Sequence, residues 1–342
     1  MKRSFSVLAA AAILLVGNVA LATDVFHMPA RQTSLVMVQV GDPGNAADTS
    51  GYGTVSYAYS IGKYDVTAGQ YTQFLNAVGG VDTYSLYNAA WMSNTTGVGC
   101  GIARNGGGTI GNPFTYTVDW NYVNRPVNWV NYWDACRFTN WLQNGQPIGA
   151  EGIGTTETGA YTLTPTGISG NTITRNTGTT WAVSTENEWY KAAYYKGSSA
   201  NAGYYLYPTS SNMAPINTLP DTGNHANFRD FYGTGNGDFT DPTHRLTEVG
   251  AFVESPSPYG TFDQGGDVWQ WNEAVISGSN RGIRGASFFD YSSSLQSSNR
   301  NSSDPTFETS NIGFRVSEVP EPASLGLLSL GISTLLLRRR SY

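Results

Sequence analysis

The chain has 342 residues, with 19 Lys plus Arg against 25 Asp plus Glu and a formal net charge of −6. No basic cluster occurs outside the termini, which counts against a nucleic-acid binder that works by neutralising phosphates. Only 2 Cys and 3 His are present and none are closely spaced, which counts equally against a zinc or iron centre.

In chain order, Lys2 and Arg3 precede an apolar stretch from Leu8 to Val16 and the small-residue exit Ala20-Leu21-Ala22. That pattern predicts a cleaved secretory signal over residues 1–22. The remaining chain, to about Val319, is long enough for a substantial core. Aromatic residues make up 13% and charged residues 13%, and there are 40 Gly, so a loop-rich fold with low regular secondary structure is expected. Alternation over Val36 to Val40 and Val55 to Ile61 predicts two strands. Thr67 with Gln70 reads as a capping box opening a helix from Ala68 to Val78, with Tyr71, Phe74 and Leu75 on one face and Gly79-Gly80 as the stop. Residues 82–120 show no sustained period but carry Tyr84, Tyr87, Trp91, Phe114 and Tyr116, as an ordered surface excursion would. Arg125 to Val130 reads as extended. Asn131 then caps a helix from Tyr132 to Leu142, whose inner face holds Ala135, Phe138, Thr139 and Leu142. Thr185 with Glu188 is the clearest capping box, with Gly197 expected to end its helix. From there to Val319 regular periodicity largely disappears.

The C-terminus has three parts: Val319-Pro320-Glu321-Pro322, an apolar run from Ala323 to Leu337, and Arg338-Arg339-Arg340. It resembles the PEP-CTERM sorting signal of exported bacterial proteins. The apolar run falls short of the ~20 residues that span a bilayer comfortably, and the basic triplet favours the cytoplasmic face. The resemblance implies that residues 319–342 form a transient inner-membrane anchor. A sortase-type processing enzyme would cut near Pro320, Glu321 and Pro322, placing the folded part in the cell envelope or on the extracellular surface. A plain tail anchor is the alternative.

Five segments in order, Tyr64 to Leu75, Arg125 to Leu142, Val183 to Ala193, Thr247 to Trp271 and Arg284 to Arg315, resemble the formylglycine-generating, sulfatase-modifying factor family. The most telling are Gly265-Gly266-Asp267-Val268-Trp269-Gln270-Trp271, Arg284-Gly285-Ala286-Ser287-Phe288 and Asn311-Ile312-Gly313-Phe314-Arg315. The resemblance implies an α+β, loop-rich, C-type-lectin-like fold over residues 23–318. Trp189, Trp269, Trp271, Arg284 and Arg315 are read as core-building residues, the indoles bonding carbonyls and each guanidinium bonding several carbonyls at once.

The family's oxidases bind copper through two cysteines just after the Gly-Gly-Ser-aromatic segment. In this chain those positions are Asp290 and Leu295, neither of which is a soft thiolate ligand. The resemblance therefore implies no catalytic residue, and copper is not expected. It does imply calcium: one site from the side chains of Asp263 and Gln270 with the carbonyls of Gly266 and Val268, and another from Asn227, the Phe228 carbonyl and either Asp238 or Asp241. Turns held by Asx hydrogen bonds are the alternative for both. Cys100 and Cys136 are either a disulfide or two unpaired thiols. The expected function is a non-catalytic, exported binder of a glycan or peptide, or a matrix protein. An oxidoreductase with relocated active residues, or a surface protein that only presents loops, are the alternatives.

Overall fold

A computed structural model describes residues 31–197, 202–230 and 238–319. The signal at 1–22, the cleavage motif Pro320, Glu321, Pro322 and the apolar tail lie outside these residues. Among the described residues no helix is long and apolar enough to cross a membrane.

The chain begins with β1 (Met37–Val40) and β2 (Tyr59–Gly62), then α1 (Ala68–Val78). The expected box is present: Thr67 Oγ1 accepts from Gln70 N and the Gln70 side chain accepts from Thr67 N, so two otherwise orphaned donors are satisfied. A hairpin of β3 (Ile102–Asn105) and β4 (Thr115–Val118) comes next, giving the expected excursion over 82–120 a regular centre that its mixed composition concealed. After it lie α2 (Tyr132–Gln143), α3 (Pro165–Ser169), β5 (Trp181–Val183) and α4 (Glu186–Tyr194). Asn131 and Thr185 both cap as the sequence implied. Gly197 does not end α4. Tyr195 is already extended, with φ −74° and ψ 127°, because it pairs with Tyr204.

The region without periodicity contains all of a second four-stranded sheet: β6 (Trp269–Ile276), β7 (Asn280–Arg284), β8 (Asn301–Ser303) and β9 (Ile312–Phe314), in the order β8-β7-β6-β9. The first four residues of β6 are all buried, so no in-and-out alternation marks it. β10 (Val316–Glu318) joins the first sheet, β1-β2-β10-β5. Arg315 is thus the single residue at which the chain passes between sheets. Its fully buried guanidinium fixes the crossing by donating to the Gly62 carbonyl (2.5 Å), the Phe262 carbonyl (2.6 Å) and Gln270 Oε1 (3.2 Å).

The core joins α1 and α2 to β9 of the second sheet through rings. Phe138 lies 5.3 Å from Phe314 and 5.4 Å from Phe74, and Phe74 lies 5.3 Å from Trp141, centroid to centroid. Aromatic packing of this density gives cohesion to a chain with few long elements.

Candidate functional site

Asp290 and Leu295 lie beyond the end of β7. Gly285, at φ 100°, turns the chain there, and its α-carbon faces the Gln264 carbonyl too closely for any β-carbon, which would lie 2.6 Å from that oxygen. The next turn closes on itself: Asp290 Oδ2 accepts from Ser287 N (3.0 Å) and Ser287 Oγ (2.5 Å), and Asp290 N donates to the Ser287 carbonyl (3.0 Å). Burial pushes the Asp290 carboxyl up, while Ser287 and the Trp269 indole pull it down less strongly. Leu295 is completely buried in the main apolar core. One position is therefore a hydrogen-bonded carboxylate and the other a packing residue.

Neither cysteine replaces the missing thiolates. Both are free and buried, which decides the pairing question in favour of two thiols. Cys100 Sγ lies near the carbonyls of Met92 (3.8 Å) and Asn128 (3.9 Å), and burial pushes its thiol up to about 12 against weaker lowering by backbone hydrogen bonds. Cys136 is pushed up for the same reason. Thiols held protonated in this way are poor nucleophiles and poor copper ligands.

The glutamates at the start of α4 are strongly paired. Glu186 Oε1 accepts from Arg284 Nε (2.9 Å) and Arg300 Nε (2.8 Å), and Oε2 from Arg300 Nη2 (2.8 Å). Burial alone would raise its pKa, but the two guanidiniums hold it below the ordinary range. Glu188 closes the α4 capping box, accepts two bonds from Arg175 at 3.1 Å and receives the Tyr57 hydroxyl at 2.5 Å. These arrangements build structure and leave neither carboxylate poised as a general base.

Two groups of residues were expected to bind calcium. In the first, Gln270 Oε1 already accepts from Trp189 Nε1 (2.6 Å) and Arg315 Nε, while its amide donates to the Asp263 carbonyl (2.8 Å). A side-chain amide oxygen is thus the acceptor for Trp189, where a backbone carbonyl was expected. Asp263 Oδ2 accepts from Gly250 N (2.7 Å). Gly266 and Val268 lie on the same buried loop, next to Asp267, whose carboxylate is bonded to Thr247 and Asn227. A cation taking the Gln270 oxygen would displace one of two donors and lie against a buried guanidinium, so this group fits calcium poorly.

In the second group, Asn227 Oδ1 is buried without a hydrogen-bond partner, the kind of oxygen a hard cation satisfies. The Phe228 carbonyl accepts from Asn217 Nδ2 (3.0 Å) and retains a second lone pair. Asp241 caps Thr243 and His244 through Oδ1 and faces His244 Nδ1 (2.9 Å) and Arg125 Nη1 (3.2 Å) through Oδ2. Asp238 is exposed and bonds Arg229 (3.0 Å). Among the described residues no group of three His, Cys, Asp or Glu side chains is placed to hold a metal.

Comparison with family models matches residues 24–319 to the sulfatase-modifying factor enzyme 1-like domain. The chain belongs to that family. Residues 318–340 match the PEP-CTERM protein-sorting motif, which marks an exported protein of the cell envelope or surface that passes through a processing enzyme. A comparison with curated proteins found no match. Among solved structures, variable protein 1 of Treponema denticola is similar at 21% identity, covering 84% of this chain and 95% of that one, with a TM-score of 0.51. CarF is similar at 20% identity over 84% of this chain and 99% of that one, with a TM-score of 0.49. At such identities the likeness speaks to the fold alone, and the first supports the loop-rich α+β architecture.

In this sulfatase-modifying-factor-like domain, Arg284 and Arg315 take the core-building roles read from the sequence. Arg284 bonds the carbonyls of Ser297 (3.0 Å) and Asn299 (2.5 Å) and lies 4.7 Å from the Tyr52 ring centre. Trp271 likewise donates to the Val130 carbonyl (3.1 Å). The residues that sequence reasoning missed are partners far apart in the chain. Arg175 joins Glu188 to Glu273 (3.0 Å), and Trp91 stacks on Trp129. No local period marks such pairs.

Proposed function

We propose that this exported sulfatase-modifying-factor-like domain is a binding protein of the cell surface rather than a copper oxidase. The observation that carries the reading is Asp290 and Leu295 at the positions where the family's oxidases place thiolates, together with Cys100 and Cys136 buried elsewhere as protonated thiols. Exposed rings nearby, Phe289 at 40% and Tyr291 at 45%, support a ligand-contacting role for the same segment. The ligand classes in view are a glycan or a peptide. Cutting near Pro320, Glu321 and Pro322 would release the domain from its transient anchor.

Calcium belongs to this proposal as a structural ion at Asn227, the Phe228 carbonyl and Asp241. The unpartnered Asn227 oxygen supports it, and binding would require Asp241 to exchange part of its contact with Arg125. For the function itself the test is oxygen consumption with copper and a cysteine-containing peptide. The binding reading expects none above a metal-only blank. Sustained, enzyme-dependent turnover would establish the oxidoreductase alternative instead.

A further inference from the structure

We propose that the stacked indoles of Trp91 and Trp129 form a platform for a neutral sugar ring. The inference rests on the binding reading and narrows its ligand to a carbohydrate. The two rings lie 5.1 Å apart at 8°, nearly parallel, and Trp91 is 43% exposed, so one ring backs the other while the outer one meets solvent.

Trp129 is an unusual residue for its backbone. Its φ of 58° lies in the left-handed region that glycine and asparagine occupy freely, and a large β-substituted side chain there is strained by about 1–2 kcal/mol. Glycine would occupy that backbone without the strain. The indole is nevertheless locked: its Nε1 donates to the Val98 carbonyl (2.6 Å) and its backbone N donates to the Thr309 carbonyl (2.9 Å). The Trp91 backbone is anchored in turn, its main-chain N–H donating to Asn88 Oδ1 (3.0 Å), and its ring is held by the stack on Trp129. The platform is therefore ordered before any ligand arrives, which lowers the entropic cost of binding.

The rim is polar and already oriented. Glu308 accepts from Asn88 Nδ2 at Oε2 (2.6 Å) and from Asn131 Nδ2 at Oε1 (3.0 Å), and the adjacent Phe307 is 57% exposed. A carboxylate clamped between two amides, beside flat rings, suits a ligand with an apolar C–H face and hydroxyls around its edge. That is a pyranose ring. Two rings are too small a surface for a stable protein partner, which buries roughly 800 Å² on each side. The rim carboxylate and the chain's net charge of −6 disfavour uronates and phosphates.

The test uses the full-length protein in mild detergent, titrated with cellohexaose, mannohexaose and, as the anionic arm, hexagalacturonate, read by calorimetry and tryptophan fluorescence. At least one neutral hexasaccharide binds, with a change in indole emission. Trp91→Ala weakens it at least about tenfold, Trp91→Phe stays within a few-fold of wild type, and Val253→Ala changes nothing. Equal binding of hexagalacturonate, or neutral-sugar binding that survives Trp91→Ala, would overturn the platform while leaving the surface-binding reading in place. Failure of every sugar would overturn it too, and a peptide panel with the oxygen assay would then judge that reading separately.

Discussion

Glu186 and Asp290 sit in neighbouring parts of the same fold and are held in opposite ways. Glu186 is clamped by two arginines, Arg284 and Arg300, and held below the ordinary carboxylate range despite its burial. Asp290 has a serine turn and an indole for partners, burial pushes its carboxyl up, and exposed Phe289 and Tyr291 flank it. The contrast shows how the molecule divides its work. Charged groups in the interior are spent on tying loops together, while the segment after β7 carries a turn carboxylate between exposed rings.

The largest effect that can break this comparison is on stability. Arg284→Ala removes one guanidinium from a buried carboxylate and should cost about 3–5 kcal/mol, whereas Asp290→Ala, which costs neutral hydrogen bonds to Ser287 and the Trp269 indole, should cost about 1–2 kcal/mol. Urea denaturation of the two variants measures both, and equal losses would erase the distinction. Next in size is the pH response. Because the folded-state pKa values of Glu186 and Glu188 are lowered, their contribution is fully present above the ordinary glutamate value near 4.3 and is lost as pH falls through the lowered values. The raised Asp290 acts in the opposite sense, since stability from it declines as pH rises past the ordinary aspartate value. Melting curves of Glu186→Gln should therefore show a flatter acid limb than wild type, and Asp290→Asn a smaller loss as pH rises from the ordinary aspartate value.

Calcium should have the smallest effect, a rise in Tm of about a few degrees over the chelated protein. Asn227→Ala should remove it and Gln270→Ala should not, since the Gln270 oxygen is already bonded to Trp189 and Arg315. The reverse pattern would move the ion to the Asp263 loop.

Three of the four described α-helices, α1, α2 and α4, were legible in the sequence because their signals are local, whereas the five-residue α3 was not. Thr67 with Gln70, Asn131, and Thr185 with Glu188 each announce a helix start within four residues, and all three cap as expected. The second sheet was not legible. β6 is buried on both faces at its start and β8 and β9 are three residues each, so neither alternation nor length distinguishes them. The absence of thiolates at Asp290 and Leu295 could be read from their order after Gly285-Ala286-Ser287. The Trp91–Trp129 stack could not, because the residues are far apart in sequence and Trp129 occupies a backbone conformation that its side chain disfavours.

The central claim is that this domain keeps its family's scaffold without the family's copper site. A copper(I) titration of the purified protein against a chromogenic chelator tests it most directly. The chelator should keep the copper, and Cys100→Ser and Cys136→Ser should leave the curve unchanged. One equivalent of copper drawn from the chelator, and released again by either substitution, would contradict the claim.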